Sequence, residues 1–542
     1  MALLPSSEWR VAEAIAGITT CNPFLPERLE LERKALGDDY VDVGPVLRTR
    51  PGMSLEEVFP NIPAFRARSE QRAEKIRQRL EDGHRATRDE LVVYEKLALY
   101  FLYARYMSAF DGLVSKTLEK TTWTVPVPYW REFKNDFDRF FCIPGQDLPS
   151  KHIPEVLFAG FFQIERAFTH IFQKIVGGSM PVAKLRAAVW ESIFTHDMRR
   201  YTRSLYRTMA DVPTLVTGPS GSGKELVARA IGLSCFVPFD PGTRRFVAGG
   251  TEMYVPLNLS ALAPTLIESE LFGHVKGAFT TAHKDREGWL ERCGEHGAVF
   301  LDEIGELDAT IQVKLLRVLE ARTFQRVGST DTLPFKGKII AATNRDLAAE
   351  MQAGRFRHDL YYRLCADQVE TPSLAEQLAD RPEDLTELVR FIAREVLGKR
   401  ADDPNGLALG AEANDGFTEE VERLTAEVVA WIDRELSRSY AWPGNFRELG
   451  QCVRNVMIRG SYRPPSATRN RVGLLGPVEE LLHQVREVEV TADELLGRYY
   501  ALAYDRLDGS YTAVGRRLGV DWRVVKSRLD QTFLEKLRHP EN

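Results

Sequence analysis

Residues 214–231, TLVTGPSGSGKELVARAI, set an apolar run, a glycine loop and a helix-like segment in the order that suits the holding of phosphates. Gly218, Gly221 and Gly223 let backbone N–H groups curl around an anion, the start of the helix favours negative charge, and Lys224 reaches the terminal phosphates. Pro219, Ser220 and Ser222 complete the loop. The Ser or Thr that commonly follows the lysine as a magnesium ligand is here Glu225, so either the metal is held differently or the site is impaired. About 80 residues further on, AVFLDE at 298–303 is an apolar run ending in adjacent carboxylates. Asp302 at a buried strand end suits magnesium, and Glu303 is placed to orient and deprotonate an attacking water.

Those groups need a sheet to carry them. From 211 to 371 the apolar runs PTLVT, YVPLNL, AVFLDE and KIIAATN alternate with helical patterns, which predicts a sheet with helices on both faces. The 542 residues leave room for several domains. A formal charge of -5 excludes a general polyanion binder, so any contact with nucleic acid must be local. The six cysteines lie far apart without CxxC or histidine pairs, arguing for a reducing compartment and against zinc. No basic segment precedes a long apolar one and no apolar run approaches the length of a membrane span, so the chain reads as soluble and cytoplasmic.

Upstream, prolines at 5, 23, 26, 46, 51 and 60 predict irregular structure over residues 1–60. Residues 64–113 read as two helices broken near Asp82 and Gly83. Aromatic residues are dense between Tyr94 and Phe172, which fits an aromatic helical core and also fits a ligand pocket or a partner surface. Asp38 and Asp39, beside Gly37, read as a solvated turn rather than a phosphoacceptor. Aromatic density ends near Gly177 and Gly178, and 181–206 reads as one helix leading into the phosphate-loop strand.

The stretch ESELFGHVKGAFTTA at 268–282, taken with GPSGSGKE, FLDEIGELD, KLLRVLE, RVG, AATNRDL, GRFRHDLYYRL and WPGNFREL, resembles the central domain of bacterial enhancer-binding proteins, the AAA+ activators of sigma-54 RNA polymerase. The resemblance covers about 190–459, with every block in family order. Glutamate after the phosphate-loop lysine is common there, which relieves the doubt about Glu225. The resemblance implies that Gly218, Gly221, Gly223 and Lys224 hold ATP, Asp302 the Mg2+ and Glu303 the attacking water. It also implies that Asn258 restrains that glutamate, that Thr343 and Asn344 form a first sensor and that Arg447 is a second. Arg357 and Arg363 would reach the nucleotide of a neighbouring subunit, which implies a homo-oligomeric ring, in this family a hexamer. The sigma-54 contact loop, GAFTGA in the family, is here Gly277, Ala278, Phe279, Thr280, Thr281 and Ala282; threonine is stiff where glycine accepts positive φ freely, so the tip at Thr281 could change shape. Two further departures are a long segment at 235–254, read as a surface loop or hairpin, and PSLAEQLADRPEDL at 372–385 in place of PPLRER.

Residues 373–460 read as a helical lid and SYRPPSATRNRVG as a linker. The C-terminal stretch reads as three helices, TADELLGRYYALAYDRL, YTAVGRRLGV and DWRVVKSRLDQTFLEKL. Gly515, Gly519 and Leu529 fit helix-turn-helix spacing, and the stretch resembles the Fis-type module that ends many enhancer-binding proteins. Arg516, Arg517, Arg523, Lys526 and Arg528 supply a local basic patch, with Trp522, Arg523, Lys526 and Ser527 facing the major groove and Val525 and Leu529 packing inward.

The expected architecture is multidomain: a helical, aromatic-rich regulatory domain at 1–182, an α/β P-loop AAA+ subdomain at 183–372, its helical lid at 373–460, a linker at 461–488 and a Fis-type helix-turn-helix at 489–542. The expected function is ATP-dependent remodelling of sigma-54 RNA polymerase holoenzyme from upstream double-stranded DNA, gated by an unknown signal at the N-terminal domain. Two alternatives stay open. Thr281 allows a DNA-binding regulator with nucleotide-controlled oligomerisation that has lost its sigma-54 contact, and the AAA+ core allows a remodeller of another protein.

Overall fold

A computed structural model describes residues 3–47, 55–120, 126–247, 252–280, 282–398, 415–436, 440–464, 477–486, 489–507 and 509–538. Thr281, Gly249 with Gly250, most of the predicted lid loop and half of the predicted linker fall outside them. The chain divides into two compact units, residues 1–461 and 462–542.

The first sixty residues are more regular than their prolines suggest. Helices Ser6–Ile18 and Pro26–Leu36 occupy much of them, with Pro5 at the cap of the first and Pro26 in the first turn of the second. Proline there loses no hydrogen bond and presets φ, so it starts helices as readily as it breaks them. Asp38 and Asp39 lie in the exposed single turn Gly37–Asp39, as expected. Helices Ile62–Glu81 and Arg88–Lys120 follow, separated at Gly83, whose φ is +82°. Trp130–Phe141 and Pro154–Lys174 complete the helical layer.

The aromatic residues form its core. Phe158 is surrounded by the rings of Phe133 at 4.8 Å, Phe110 at 4.9 Å, Trp130 at 5.1 Å and Phe239 at 4.7 Å, mostly edge-on or tilted. Phe239 belongs to the segment expected to be a surface hairpin. The hairpin exists, pairing Phe239–Asp240 with Arg245–Phe246, but both phenylalanines are buried among the N-terminal helices. Burying two aromatic rings outweighs leaving them on a solvated tip.

Within the same core Glu165 is fully buried and accepts a hydrogen bond from Tyr103 Oη at 3.0 Å. Burial, then the nearby Asp111, raises its carboxyl from 4.5 to about 8. A folded pKa above the unfolded one means that the stability is complete below about pH 4.5 and is lost as pH rises through about 8. Replacing Glu165 with Gln is expected to flatten the fall in melting temperature across that window; a wild-type melting temperature that climbs with pH there would contradict it.

Residues 181–206 form two helices where one was expected. Met180–Phe194 stops at Thr195, with φ of +68°, and Asp197 caps a new helix, Met198–Arg203, by accepting from the backbone N–H groups of Arg199 and Arg200. Apolar packing runs from these helices into the sheet without a break: Phe168, Ile171, Trp190 and Phe194 share one cluster with Val216, Ile231, Phe300 and Ile340. The last N-terminal helices thus cover one face of the sheet.

That sheet has five parallel strands in the order Asp367–Glu370, Thr214–Thr217, Lys338–Thr343, Cys293–Asp302, Glu252–Asn258. Lys338–Thr343 is buried throughout, as a central parallel strand covered on both faces should be. The four apolar runs become four of the strands; the fifth, DQVE, was too short and polar to stand out. Helices Asp384–Gly398, Asp415–Glu435 and Asn445–Arg459 form the lid. At the start of the lid Asp384 is buried and accepts the backbone N–H groups of Gly178 at 2.6 Å and Ser179 at 3.0 Å.

The C-terminal unit has five described helices. Pro477–Arg486 lies in the stretch expected to be linker. Ala492–Arg506, Tyr511–Leu518 and Trp522–Arg528 follow, and the expected third helix breaks before Gln531–Arg538. Leu529 is extended there, and Asp530 caps the last helix by accepting Phe533 N–H at 2.9 Å. No helix among the described residues is long and apolar enough to cross a membrane.

Candidate active site

The phosphate loop leaves strand Thr214–Thr217 at its carboxyl end, where ligands of parallel sheets bind. Two glycines are required by space as well as by φ. A Cβ on Gly218 (φ +141°) would stand 2.1 Å from Thr371 Oγ1, and one on Gly221 (φ +75°) 2.5 Å from the carbonyl oxygen of Gly444. Gly223, left-handed at φ +94°, caps the helix Lys224–Gly232. The Lys224 ammonium donates to the carbonyl oxygens of Gly218 at 3.0 Å and Pro219 at 3.1 Å. Burial lowers its pKa, and the negative charges of Glu303 and Asp302 oppose that shift. Ser222 Oγ is held between Pro219 O and Thr371 Oγ1 at 2.7 and 2.6 Å. Glu225 is exposed on the first helical turn, and its charge is among those that push the pKa of Asp302 upward.

Sheet order brings the acid pair alongside. Cys293–Asp302 lies one strand away from the phosphate-loop strand, across Lys338–Thr343. Burial raises the pKa of Asp302, which a bound cation would reverse. Two carboxylates at this edge fit Mg2+, which takes few protein ligands beside phosphate and water. Glu303 has φ of +58°, a conformation that costs a non-glycine residue roughly 1 to 2 kcal/mol. It turns the chain out of the strand into the single turn Ile304–Glu306.

The polar neighbours sit one step from the expected places. Asn258 faces Asp302 in the strand register and donates to it through Nδ2 at 3.4 Å, where the expectation paired it with Glu303. Its Oδ1 accepts from the N–H and Oγ of Ser260, so the amide is held and oriented by its own strand end. Glu303 accepts instead from the backbone N–H of Asn344 at 3.4 Å. Thr343 is buried and accepts Arg345 N–H through Oγ1 at 3.0 Å.

The lid reaches the loop through more than Arg447. Arg447 Nη1 donates to Ser220 Oγ at 3.1 Å, Phe446 N–H to Gly221 O at 3.0 Å, and Asn445 Nδ2 to Ser220 O at 3.0 Å. Asn445 also accepts Leu374 N–H through Oδ1 at 2.8 Å, which ties the phosphate loop to the start of the next helix. Sequence reasoning passed over it and over Thr371. Asn445 opens its helix at a φ of +50°, a conformation that short polar residues tolerate better than most. Arg357 and Arg363 contact neither the loop nor the acid pair: the first pairs with Asp359 and the second with Glu320, all exposed.

A sequence profile described as the Sigma-54 interaction domain matches residues 192–370. The transcriptional regulatory protein ZraR of Klebsiella oxytoca is 37% identical over 330 residues, 59% of this chain and 64% of its own length. The Nif-specific regulatory protein of Azotobacter vinelandii is 38% identical over 340 residues, 62% of this chain and 57% of its own. The regulatory protein LuxO of Vibrio cholerae is 33% identical over 357 residues, 62% of this chain and 69% of its own. The chain belongs to the sigma-54-dependent transcriptional activators of the NtrC type. It spans less than two thirds of the length of ZraR and of the Nif-specific protein.

Residues 277–280 and 282, the described part of the expected sigma-54 contact loop, lie between the paired strands Gly273–His274 and Arg286–Glu287. Gly277 N–H donates to Ala282 O and Ala282 N–H to Phe279 O, both at 2.9 Å, which closes the tip. Phe279 is 39% exposed, and its ring meets His274 edge-on at 4.8 Å. The C-terminal unit exposes Arg516, Arg517, Trp522, Arg523, Lys526, Ser527 and Arg528 and buries Val525 and Leu529. A Cβ on Gly515 would stand 2.7 Å from Val520 O, the close approach expected of that glycine.

Proposed function

We propose that this chain hydrolyses ATP with Mg2+ in a homo-oligomeric ring, a hexamer as in its family, and uses that energy to remodel sigma-54 RNA polymerase holoenzyme for promoter opening in the cytoplasm. The observation that carries the reading is the convergence of Lys224, Asp302, Glu303, Asn344 and Arg447 on one phosphate loop, closed by the lid. Lys224, the loop N–H groups and Arg447 bind and orient the phosphates. Asp302, with Glu225 near it, would hold the Mg2+, which offsets phosphate charge when bound. Glu303, positioned by Asn344, takes the proton of the attacking water. Arg357 and Arg363 of a neighbouring subunit complete the site. The exposed Phe279 supports the 277–282 tip as the contact with sigma-54.

The basic, exposed face of the C-terminal helices supports binding to upstream double-stranded DNA, with Trp522, Arg523, Lys526 and Ser527 toward the bases. The N-terminal helices regulate the ATPase through the helix that carries Lys224. Arg166 donates to the carbonyl oxygens of Leu233 and Cys235, and Gln163 Nε2 to Ser234 O at 2.8 Å, at that helix's carboxyl end. A cation there is favoured by the helix dipole, so a shift of these helices bears on the phosphate loop.

A reconstituted transcription assay on a sigma-54 promoter, with wild type and Thr281→Gly, tests the reading. Wild type is expected to support ATP-dependent open-complex formation, and the glycine form to match or exceed it. The threonine favours a second reading, a regulator without sigma-54 contact; activity in the glycine form alone selects it.

A further inference from the structure

The N-terminal helices enclose a cavity of about 150 Å³ that none of the steps above uses. Its walls include Phe161, Phe168, Trp190, Tyr100 and Met107. An apolar cavity of about this volume accommodates one benzene ring, and a nucleotide is several times too large.

One end is polar and sets the cations Lys96 and Arg199 beside the carboxylate of Glu95. Glu95, itself buried, accepts from Ser150 N–H and Ser150 Oγ, both at 2.9 Å, and its Oε1 lies 3.3 Å from Nε2 of half-buried His152. Among the described residues that ring nitrogen has no hydrogen-bond partner. Arg28 is matched by Glu32 at 2.7 Å. Lys96 and Arg199 are not matched in this way. Lys96 Nζ meets Thr20 Oγ1 at 3.4 Å and Arg199 Nε meets Ser150 Oγ at 3.3 Å, and neither has a carboxylate within 4.0 Å among the described residues. Burial, then the charge of Arg199, lowers the pKa of Lys96, and the negative charge of Asp197 opposes that shift. A carboxylate placed between them would make charge-assisted hydrogen bonds with little water to compete.

We infer that this cavity binds a small monocarboxylate with a single aromatic ring, the ring among Phe161, Phe168 and Trp190 and the carboxylate on Lys96 and Arg199. The regulatory consequence rests on the role proposed for the N-terminal helices. Tyr201 lines the cavity, its Oη donates to Gln163 Oε1 at 2.7 Å, and Gln163 holds Ser234 at the end of the phosphate-loop helix. One side chain separates the cavity wall from the group that grips that helix.

Calorimetric titration of the full chain with sodium benzoate, and with benzamide as the neutral probe of the same shape, tests the site. Two variants accompany it. Gly160 lines the cavity and a Cβ there meets nothing within 4 Å, so Gly160→Leu fills the space and favours the helix around it. Lys96→Met removes a charge. The expected result is saturable benzoate binding at one site per chain, loss of binding in Gly160→Leu with basal ATPase unchanged, and at least about ten-fold weaker benzoate binding in Lys96→Met with benzamide unaffected. No benzoate heat at millimolar concentration, or binding that survives Gly160→Leu, overturns the inference; equal losses for both probes in Lys96→Met overturn the carboxylate assignment. ATPase measured in the same samples addresses regulation alone: saturable binding with an unchanged rate keeps the site and removes the regulatory role.

Discussion

Lys224→Ala is expected to abolish ATP binding, whereas Glu303→Gln keeps binding and loses hydrolysis by about 10² to 10⁴-fold. The two substitutions separate because the residues act at different stages. Lys224 stands inside the loop, bonded to its carbonyl oxygens and held near Asp302 and Glu303, so it meets the phosphates in ground and transition states alike. Alanine leaves the loop without its charge. Glutamine at 303 is nearly the same size and can still accept from Asn344 N–H through its amide oxygen, but it cannot take a proton from water. The left-handed backbone at 303 is the same for both residues, so folding should be little affected. Fluorescent-nucleotide binding and phosphate release measured on both variants check this. Unchanged turnover in both would falsify the assignment of the site.

The second large effect is a complementation between subunits. Arg363→Ala should lower turnover by about 10³ to 10⁵-fold while its own phosphate loop stays intact. Within one chain Arg363 pairs with Glu320, and Arg357 with Asp359, in exposed ion pairs. Exposed pairs are worth roughly 0 to 1 kcal/mol, so handing either guanidinium to a neighbour's nucleotide costs little. Buried Gln312 positions this segment: its Nε2 donates to Leu307 O and Arg355 O, and its Oε1 accepts Arg357 N–H. Mixing Arg363→Ala with Glu303→Gln, each inactive alone, is expected to restore part of the ATPase. Some interfaces then join an intact arginine to an intact glutamate. A mixture as inactive as its components would place Arg363 outside the neighbour's site.

Much of the site was legible because its parts are local. The loop from Gly218 to Lys224 is set by glycines within a few residues of each other, and the acid pair by the end of one apolar run. Four strands could be read for the same reason, since a buried parallel strand is a continuous apolar string. The misreadings came from local signals with two outcomes. Prolines near the N-terminus began helices, the run expected through 181–206 stopped at Thr195 and restarted from the cap at Asp197, and Asp530 split what looked like one C-terminal helix.

By itself the sequence determined the candidate chemistry: a phosphate loop with its lysine, a carboxylate pair and a basic pair of C-terminal helices, each a short string whose character comes from near neighbours. Only the tertiary structure decided how they are connected. Gln163 grips the phosphate-loop helix across 71 residues, and Asn445 grips the loop across 225. Hydrophobic pattern tells which face of a helix is buried, and says nothing of what buries it. The placement of the N-terminal helices against the sheet, with a cavity wall at Tyr201 bonded to the Gln163 that holds the carboxyl end of the phosphate-loop helix, therefore had to come from packing.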